Sequence, residues 1–243
     1  KKNEHQKQMI KSHLEPFSNL FPDMQSKFPE YIDLYPVHPS YFDNFQNIKI
    51  GKSERDILRV LSNQFESMMN VEVPVDETGL LTYEMYWDTI IEEKAMLSFP
   101  DVVSVSEKYN HVIDKIDLHF VQARASKKEL AVRIAKACAI KLLQGVLDEN
   151  NGTTTFQLLD DLCLIHPMAK DRTFLYDIIE STAKELVKAN YGQSFKQKID
   201  NDEYYINTGT VFDPDFVIQD YAATMSPDQN DQSFFKFLAF ALM

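Results

Sequence analysis

The chain has 243 residues, a length that suits one large domain or two small ones. Hydrophobic residues make up 44% of it and only 6 residues are glycine, so the composition excludes a disordered chain. The formal charge of −12 repels nucleic-acid backbones, and any contact with DNA therefore needs a local basic face. No run reaches the ~18 apolar residues that cross a bilayer and no secretory signal opens the chain, which predicts a cytoplasmic protein without membrane contact.

The first hundred residues are predicted to be helical with many interruptions. Residues 1–32 contain three prolines, which restrict any helix to a short segment. Residues 34–39 include two more prolines and are predicted to form a rigid extended joint. Ser40 can cap a short helix over 40–45, and Ser53 can cap an amphipathic helix over 54–69. From Thr82 a helical pattern continues until it stops near residue 100.

The second half of the chain has a recognisable order of elements. A connecting amphipathic helix is predicted within 101–127, followed by helices over 128–147, 156–164 and 171–190. A two-residue alternation then runs on both sides of the polar turn at 200–202, which predicts a β-hairpin. Helix, short helix, long helix and hairpin is the chain order of a winged helix-turn-helix.

These patterns predict a mainly α fold, in which a helical bundle is followed by a winged-helix-like module with one β-hairpin. The predicted domains are a helical domain over 1–100, a connecting helix over 101–127 and a winged-helix-like domain over 128–225, with a C-terminal helix over 226–243. The apolar end of the chain and its first residue, which is not Met, suggest a piece of a longer protein.

Short motifs that suggest chemistry are each weak in this sequence. Gly51-Lys52-Ser53 resembles the end of a phosphate-binding loop, but Gln46 stands where that motif needs glycine. The histidines never fall at the spacing that places two metal ligands on one helical face, so no metal site is predicted. Cys163 and His166 are close enough to suggest a nucleophile and its base, although a buried thiol beside a loop histidine explains the pair more simply.

Basic residues concentrate around the start of the helix over 128–147. They could form a contact face for a phosphate backbone. The helix over 171–190, which corresponds to a recognition helix, carries more acidic residues than basic ones, and this balance suits protein contact better than duplex DNA. The basic cluster comprises Arg124, Lys127, Lys128, Arg133, Lys136 and Lys141.

Four tracts, read together and in this order, resemble one family. They are YIDLYPVHPSY at 31–41, ERDILRVLS at 54–62, VPVDETGLLTYEMYWD at 73–88 and NDEYYIN at 201–207. The family is the group of very large P-loop ATPases that serve BREX and phage-growth-limitation defence systems, the PglY and BrxC type. Because the likeness covers most of the chain, it carries more weight than any single tract.

The resemblance implies that residues 1–100 are an ATPase lid and that the ATP-binding core precedes this stretch. ATP and Mg would then belong to the parent protein, with no cofactor in this chain itself. The resemblance further implies that a lid arginine contacts the nucleotide, with Arg55 the first choice and Arg59 the second, because a fixed guanidinium stabilises charge on the γ-phosphoryl oxygens. His38-Pro39 would form the joint between core and lid.

The implied function is coupling of ATP binding or hydrolysis to engagement of a partner. The expected partners are the rest of its own ATPase chain and other defence-system proteins, with DNA a weaker expectation. Two alternatives stay open: a stand-alone winged-helix adaptor or regulator, and a hydrolase that uses Cys163 and His166.

Overall fold

The structure of the protein is a computed structural model. It describes residues 2–48, 61–66, 68–69, 71–145, 151–169, 171–198, 200 and 202–209. Residues Lys1–Thr208 form one compact unit and Gly209–Met243 a second one. Residues 54–60 of the helix predicted over 54–69 lie outside the described residues, as do the Gly51-Lys52-Ser53 motif and the predicted C-terminal helix, whereas residues 61–66 are helical as predicted.

The described part of the chain is mainly helical with a small antiparallel sheet, which confirms the predicted fold class at that level. Short 3₁₀ helices at Glu15–Phe17, Tyr83–Met85, Met96–Ser98 and Gln122–Lys127 connect the α-helices. The α-helices are α1 Glu4–Leu14, α2 Pro22–Ser26, α3 Phe28–Leu34, α4 Ser40–Gln46, α5 Tyr86–Glu92, α6 Pro100–His119, α7 Lys128–Gln144, α8 Thr155–Asp161 and α9 Arg172–Ala189.

Side-chain caps fix where several of these helices begin. Asn3 accepts a hydrogen bond from the backbone of Gln6 at the start of α1, and Thr154 does the same with Gln157 at the start of α8. The Asp171 side chain caps α9. Ser40, in contrast, does not cap α4: it is the first helical residue, and the helix begins without a side-chain cap.

The sheet contains three strands: β1 Thr153–Thr154, β2 Phe195–Gln197 and β3 Glu203–Ile206. Strand β3 lies in the centre and pairs antiparallel with both neighbours, so the order is β1-β3-β2. The pair β2–β3 is the predicted hairpin. Strand β1 is not predicted from the sequence, because two residues are too few to show the alternation of apolar and polar residues that indicates a strand.

Helix α7 runs through the centre of the Lys1–Thr208 unit. Its residues Ile134, Cys138 and Leu142 are buried, and it packs against α6 on one side and against β3 and α9 on others. The predicted boundary over 101–127 falls within this unit. The division of the chain into 1–100 and 128–225 stays a prediction.

The N-terminal helices are attached to the centre through the joint at 34–39. The Tyr35–Pro36 peptide bond is cis, and Val37 forms an isolated parallel bridge with Leu81. The His38 backbone N–H donates to the Leu81 carbonyl at 2.9 Å, and the Leu81 N–H donates to the Pro36 carbonyl at 2.6 Å. The joint is therefore held by backbone hydrogen bonds to residue 81.

Candidate functional site

A row of polar side chains on one face of α7 contacts the region that precedes it in sequence. At about 100° per residue, positions 133, 136, 141 and 144 fall within an arc of about 140°, so the row occupies one broad face of the helix. We call the resulting set of contacts the α7 seam. It consists of the pairs Arg133–Glu84, Lys136–Asp88, Lys141–Asn44 and Gln144–Asn44.

The Arg133–Glu84 pair is the most deeply buried contact of the seam. Arg133 donates to Glu84 Oε1 from Nε at 2.9 Å and from Nη2 at 2.6 Å. The Thr82 hydroxyl donates to the same oxygen at 2.8 Å, and Arg133 Nη2 also donates to the Leu162 carbonyl at 2.9 Å. The Glu84 side chain is only 1% exposed and that of Arg133 is 26% exposed. A carboxylate this deeply buried requires its cation.

The other contacts of the seam differ in how far their side chains are exposed to solvent. Lys136 Nζ lies 2.7 Å from Asp88 Oδ2 at the partly exposed edge, where such a pair adds little stability. Lys141 is more deeply placed: its Nζ donates to Asn44 Oδ1 at 2.6 Å and lies 5.2 Å from the centroid of the Tyr83 ring. Burial lowers the pKa of Lys141, with an opposing contribution from nearby acids.

A buried chain of hydrogen bonds extends from α3 into the start of α4. The Tyr31 hydroxyl lies 2.8 Å from His38 Nε2, and the Ser40 hydroxyl lies 2.8 Å from His38 Nδ1. The Ser40 backbone N–H donates to Nδ1 at 3.1 Å, so Nδ1 is the acceptor and Nε2 carries the proton toward Tyr31. Burial lowers the pKa of His38 to about 4, which keeps this imidazole neutral.

Asp161, the last residue of α8, interacts with the Ser40 hydroxyl on the far side of this chain. Burial raises the pKa of Asp161 to about 6, although Lys141 opposes the shift. Ser40 thus lies between a histidine whose pKa is depressed and a carboxyl whose pKa is raised. Both groups are held by contacts between the N-terminal helices and the α7–α8 region.

A further ion pair joins α9 to the same region. Arg172 donates to both carboxylate oxygens of Asp160, at 2.7 and 2.9 Å, and to the Leu20 carbonyl at 2.7 Å. The two parallel bonds fix the guanidinium plane. Residues 20, 160 and 172 therefore meet at one point, and three distant segments are connected there.

The basic residues singled out from the sequence mostly contact acids of the same chain. Lys127 pairs with Glu185 at 2.9 Å and Lys128 with Asp117 at 3.0 Å. Arg133, Lys136 and Lys141 belong to the α7 seam, and Arg124 is exposed. As a contact face for nucleic acid this cluster stays a prediction. Arg55 and Arg59 lie outside the described residues.

The contacts of Cys163 and His166 do not support a nucleophile and base. The Cys163 thiol donates to the Asp160 carbonyl at 3.6 Å, and burial raises its pKa, which opposes thiolate formation. His166 Nδ1 accepts from the Met168 backbone N–H at 3.3 Å. Within the described ranges, no three His, Cys, Asp or Glu side chains are grouped as metal ligands. No helix there has both the length and the apolarity needed to cross a membrane.

The sequence contains one signal that points to the seam. Glu84 lies among Tyr83, Tyr86 and Trp87, in a stretch whose aromatic residues are buried. An acidic residue inside such a stretch indicates a paired carboxylate. Its partner could not be found in the same way, because Arg133 is distant in sequence and meets Glu84 only through tertiary packing.

Comparison with known proteins gives one family. No curated protein and no solved structure matches this chain. The family model described as DUF6079 second domain matches residues 3–211, which is most of the chain. The chain therefore belongs to the DUF6079 second-domain family.

Proposed function

We propose that this chain is a non-catalytic lid plus winged-helix region of a large P-loop ATPase in bacterial anti-phage defence. In the whole protein it couples ATP binding or hydrolysis to engagement of a partner. Two features support the proposal besides the sequence resemblance: the family is described as a second domain, which implies other domains in its proteins, and the α7 seam joins the two halves of the chain.

The order of elements in the second half supports a winged-helix arrangement. Helix α7 is followed by β1, then by α8 and α9, and then by β2 and β3. In this arrangement a short first strand joins the edge of the hairpin, and the observed order β1-β3-β2 has that property. Helix α9 then takes the position of the recognition helix, and the β2–β3 turn takes that of the wing.

The α7 seam is the observation that carries the coupling role. Its donors lie on α7 of the winged-helix-like part, and its acceptors Asn44, Glu84 and Asp88 lie in the part likened to a lid. A buried ion pair holds its partners in one geometry, because separating them leaves a charge without compensation. A displacement of residues 84 and 88 of the lid part is therefore expected to move α7 with them.

The charges of α9 and the hairpin favour a protein as the partner. Lys184 on α9 is paired with Glu180 at 2.8 Å, and Asp177 is exposed nearby. The β2–β3 turn carries Asp200 and Asp202. A recognition helix and wing with this balance repel a phosphate backbone, so duplex DNA is the less favoured ligand.

The coupling role can be tested in the intact ATPase by hydrogen exchange. ATP with Mg is expected to change the exchange rate of α9 amides in the wild-type protein. The double variant Arg133→Met with Glu84→Gln removes both charges of the buried pair and is expected to abolish that response while ATP binding persists. The matched control is Lys27→Met with Asp23→Asn, which removes an exposed pair outside both the seam and α9.

If ATP at full occupancy still changes the exchange of α9 amides in the seam variant as it does in the wild type, the coupling role of the seam is refuted. The same outcome would favour the second candidate, a stand-alone winged-helix adaptor or regulator-like module, which the order of elements in residues 128–206 supports equally. A coding region without a phosphate-loop motif upstream of Lys1 would also favour it. A salt-dependent shift of duplex DNA by the purified chain would then separate regulator from adaptor.

A further inference from the structure

An exposed aromatic pair lies where α8, α9 and the β2–β3 turn meet. The Phe156 side chain on α8 is 58% exposed, and its ring centroid lies 4.7 Å from that of Tyr176 on α9. We call this area, together with Asp202 and Glu180, the Phe156 surface. A large exposed aromatic residue beside a second ring is a common feature of interaction sites.

Asp202 is held rigidly at the edge of this surface. Its Oδ2 accepts hydrogen bonds from the Thr155 hydroxyl at 3.1 Å and from the Tyr176 hydroxyl at 3.2 Å. Its Oδ1 accepts from Gln197 Nε2 at 2.6 Å. The donors come from α8, α9 and β2, so the carboxylate is fixed beside the two rings. All of these donors are neutral, and the negative charge of Asp202 is therefore not cancelled by them.

The charges around the rings are mainly negative. Glu180 follows Tyr176 by one helical turn, and exposed Asp200 belongs to the same turn of the hairpin as Asp202. Lys184 brings one positive charge, which is already paired with Glu180 at 2.8 Å. The two other cations that adjoin this area, Arg172 and Lys198, are paired with Asp160 and Glu203. The carboxylates of Glu180, Asp200 and Asp202 against the one ammonium of Lys184 therefore leave a negative potential next to an aromatic face. That combination attracts a cation that can lie over a ring.

We propose that the Phe156 surface binds a basic, partly apolar peptide segment of a protein partner. An arginine or lysine of the segment lies over the Phe156 and Tyr176 rings with its charged end toward Asp202, and an adjacent apolar side chain covers the exposed part of Phe156. A nucleic acid could also stack on the rings, but its phosphates would meet the three carboxylates. The negative charge of the Phe156 surface therefore selects a cationic protein segment.

This inference rests on the proposed function only in the claim that the winged-helix-like part engages a partner. It needs no nucleotide, so it can fail while the seam still couples the two halves, and it can hold in a protein without any ATPase core. Binding measured on the 243-residue chain alone therefore separates the two proposals.

The test uses the amidated octapeptide of alternating leucine and arginine, titrated into the isotope-labelled chain and followed by NMR. Saturable shifts are expected at Phe156, Tyr176 and Asp202, and binding is expected to weaken as salt increases. Phe156→Ala is expected to weaken binding by about fivefold, the loss of one cation–π contact. Asp202→Asn is expected to weaken it by a similar factor.

Matched controls show whether the effect belongs to this surface. Leu118→Ala removes an exposed apolar side chain from α6, and Glu107→Gln removes an exposed carboxylate from the same helix; neither is expected to change binding. The octapeptide of alternating leucine and glutamate is expected to bind at least tenfold more weakly. Thermal unfolding of each variant checks that the fold persists, and the salt titration of the wild-type chain needs no variant at all.

Three results would overturn the proposal. The first is equal affinity of the leucine–arginine peptide for wild type and Phe156→Ala. The second is affinity for the leucine–glutamate peptide that matches or exceeds that for its basic counterpart. The third is stronger perturbation of the same residues by single-stranded oligothymidylate, which would assign the rings to base stacking.

Discussion

The buried pair at the centre of the α7 seam gives the most demanding prediction. Arg133→Met leaves the Glu84 carboxylate, 1% exposed, without its cation. Breaking a buried ion pair in this way costs about 3 to 5 kcal/mol of unfolding free energy. Because Arg133 itself is 26% exposed, water screens part of the interaction, and we expect the lower end of that range.

Glu84→Gln is expected to be less damaging than Arg133→Met. The guanidinium that remains can reach water, so the main loss is that of charge-assisted hydrogen bonds, about 1.5 to 3 kcal/mol. The double variant removes both charges together and leaves neither one uncompensated. We therefore expect it to be more stable than Arg133→Met alone, with an interaction free energy of about 2 kcal/mol between the two positions.

Urea unfolding followed by circular dichroism measures all three variants and the wild type. The slope of free energy against urea concentration should be the same for the four proteins, because the surface exposed on unfolding is unchanged. The exposed pair Lys27 and Asp23 serves as the control cycle, with an expected interaction of at most about 0.5 kcal/mol. If the losses of unfolding free energy in the two single variants sum to that of the double variant within about 0.5 kcal/mol, that result refutes the reasoning.

Three more predictions concern titration and catalysis. The pKa of Asp161 is about 6 in the folded protein against 3.8 in the unfolded chain, so this group contributes stability below pH 3.8 that is lost as the pH rises through 6. Asp161→Asn should abolish this decrease in the free energy of unfolding and stabilise the protein at neutral pH by about 2 to 3 kcal/mol. The pKa of His38 is about 4 in the folded protein against 6.5 in the unfolded chain, so this group contributes stability above pH 6.5 that is lost as the pH falls to 4. In His38→Gln only the contribution of Asp161 should remain, and the free energy of unfolding should decrease as the pH rises over this range. Urea unfolding between pH 4 and 6.5 checks both predictions. The same dependence of unfolding free energy on pH in the wild type and the two variants would contradict them. If the parent protein is the proposed ATPase, Arg55→Ala in the intact protein should lower steady-state ATP turnover by a factor of ~10³, and unchanged turnover would exclude Arg55 from the mechanism.

The regular elements of this chain were predictable where local signals were strong. Helices α7 and α9 were expected from their periodic apolar residues, and the observed ends at Gln144 and Ala189 lie close to the predicted ones. Strand β1 left no signal, since Thr153 and Thr154 become a strand only by pairing with β3. Ser40 was expected to cap a helix, but its hydroxyl contacts the His38 ring instead.

The candidate site was much harder to predict than the fold. A cluster of basic residues has the same appearance in sequence whether it faces solvent or faces acids of the same protein. The acids that meet Arg133 and Lys136 are contributed by residues 84 and 88, which come close only when the 3₁₀ helix Tyr83–Met85 and α5 pack on α7. The shifted pKa of Asp161 likewise results from burial at the end of α8, which no spacing rule predicts.

The attachment of the joint to residue 81 has a mechanical consequence. A pull on the N-terminal helices is carried in part by the two backbone hydrogen bonds of Leu81, beside the bonds at Asn44 and at the Leu20 carbonyl, and Glu84, which binds Arg133, follows Leu81 by three residues. The load therefore reaches α7 through residues 81–84 and Asn44, and α9 through Arg172, without passing along the chain through α6. The N-terminal helices are thus anchored to two separate helices of the second half of the chain.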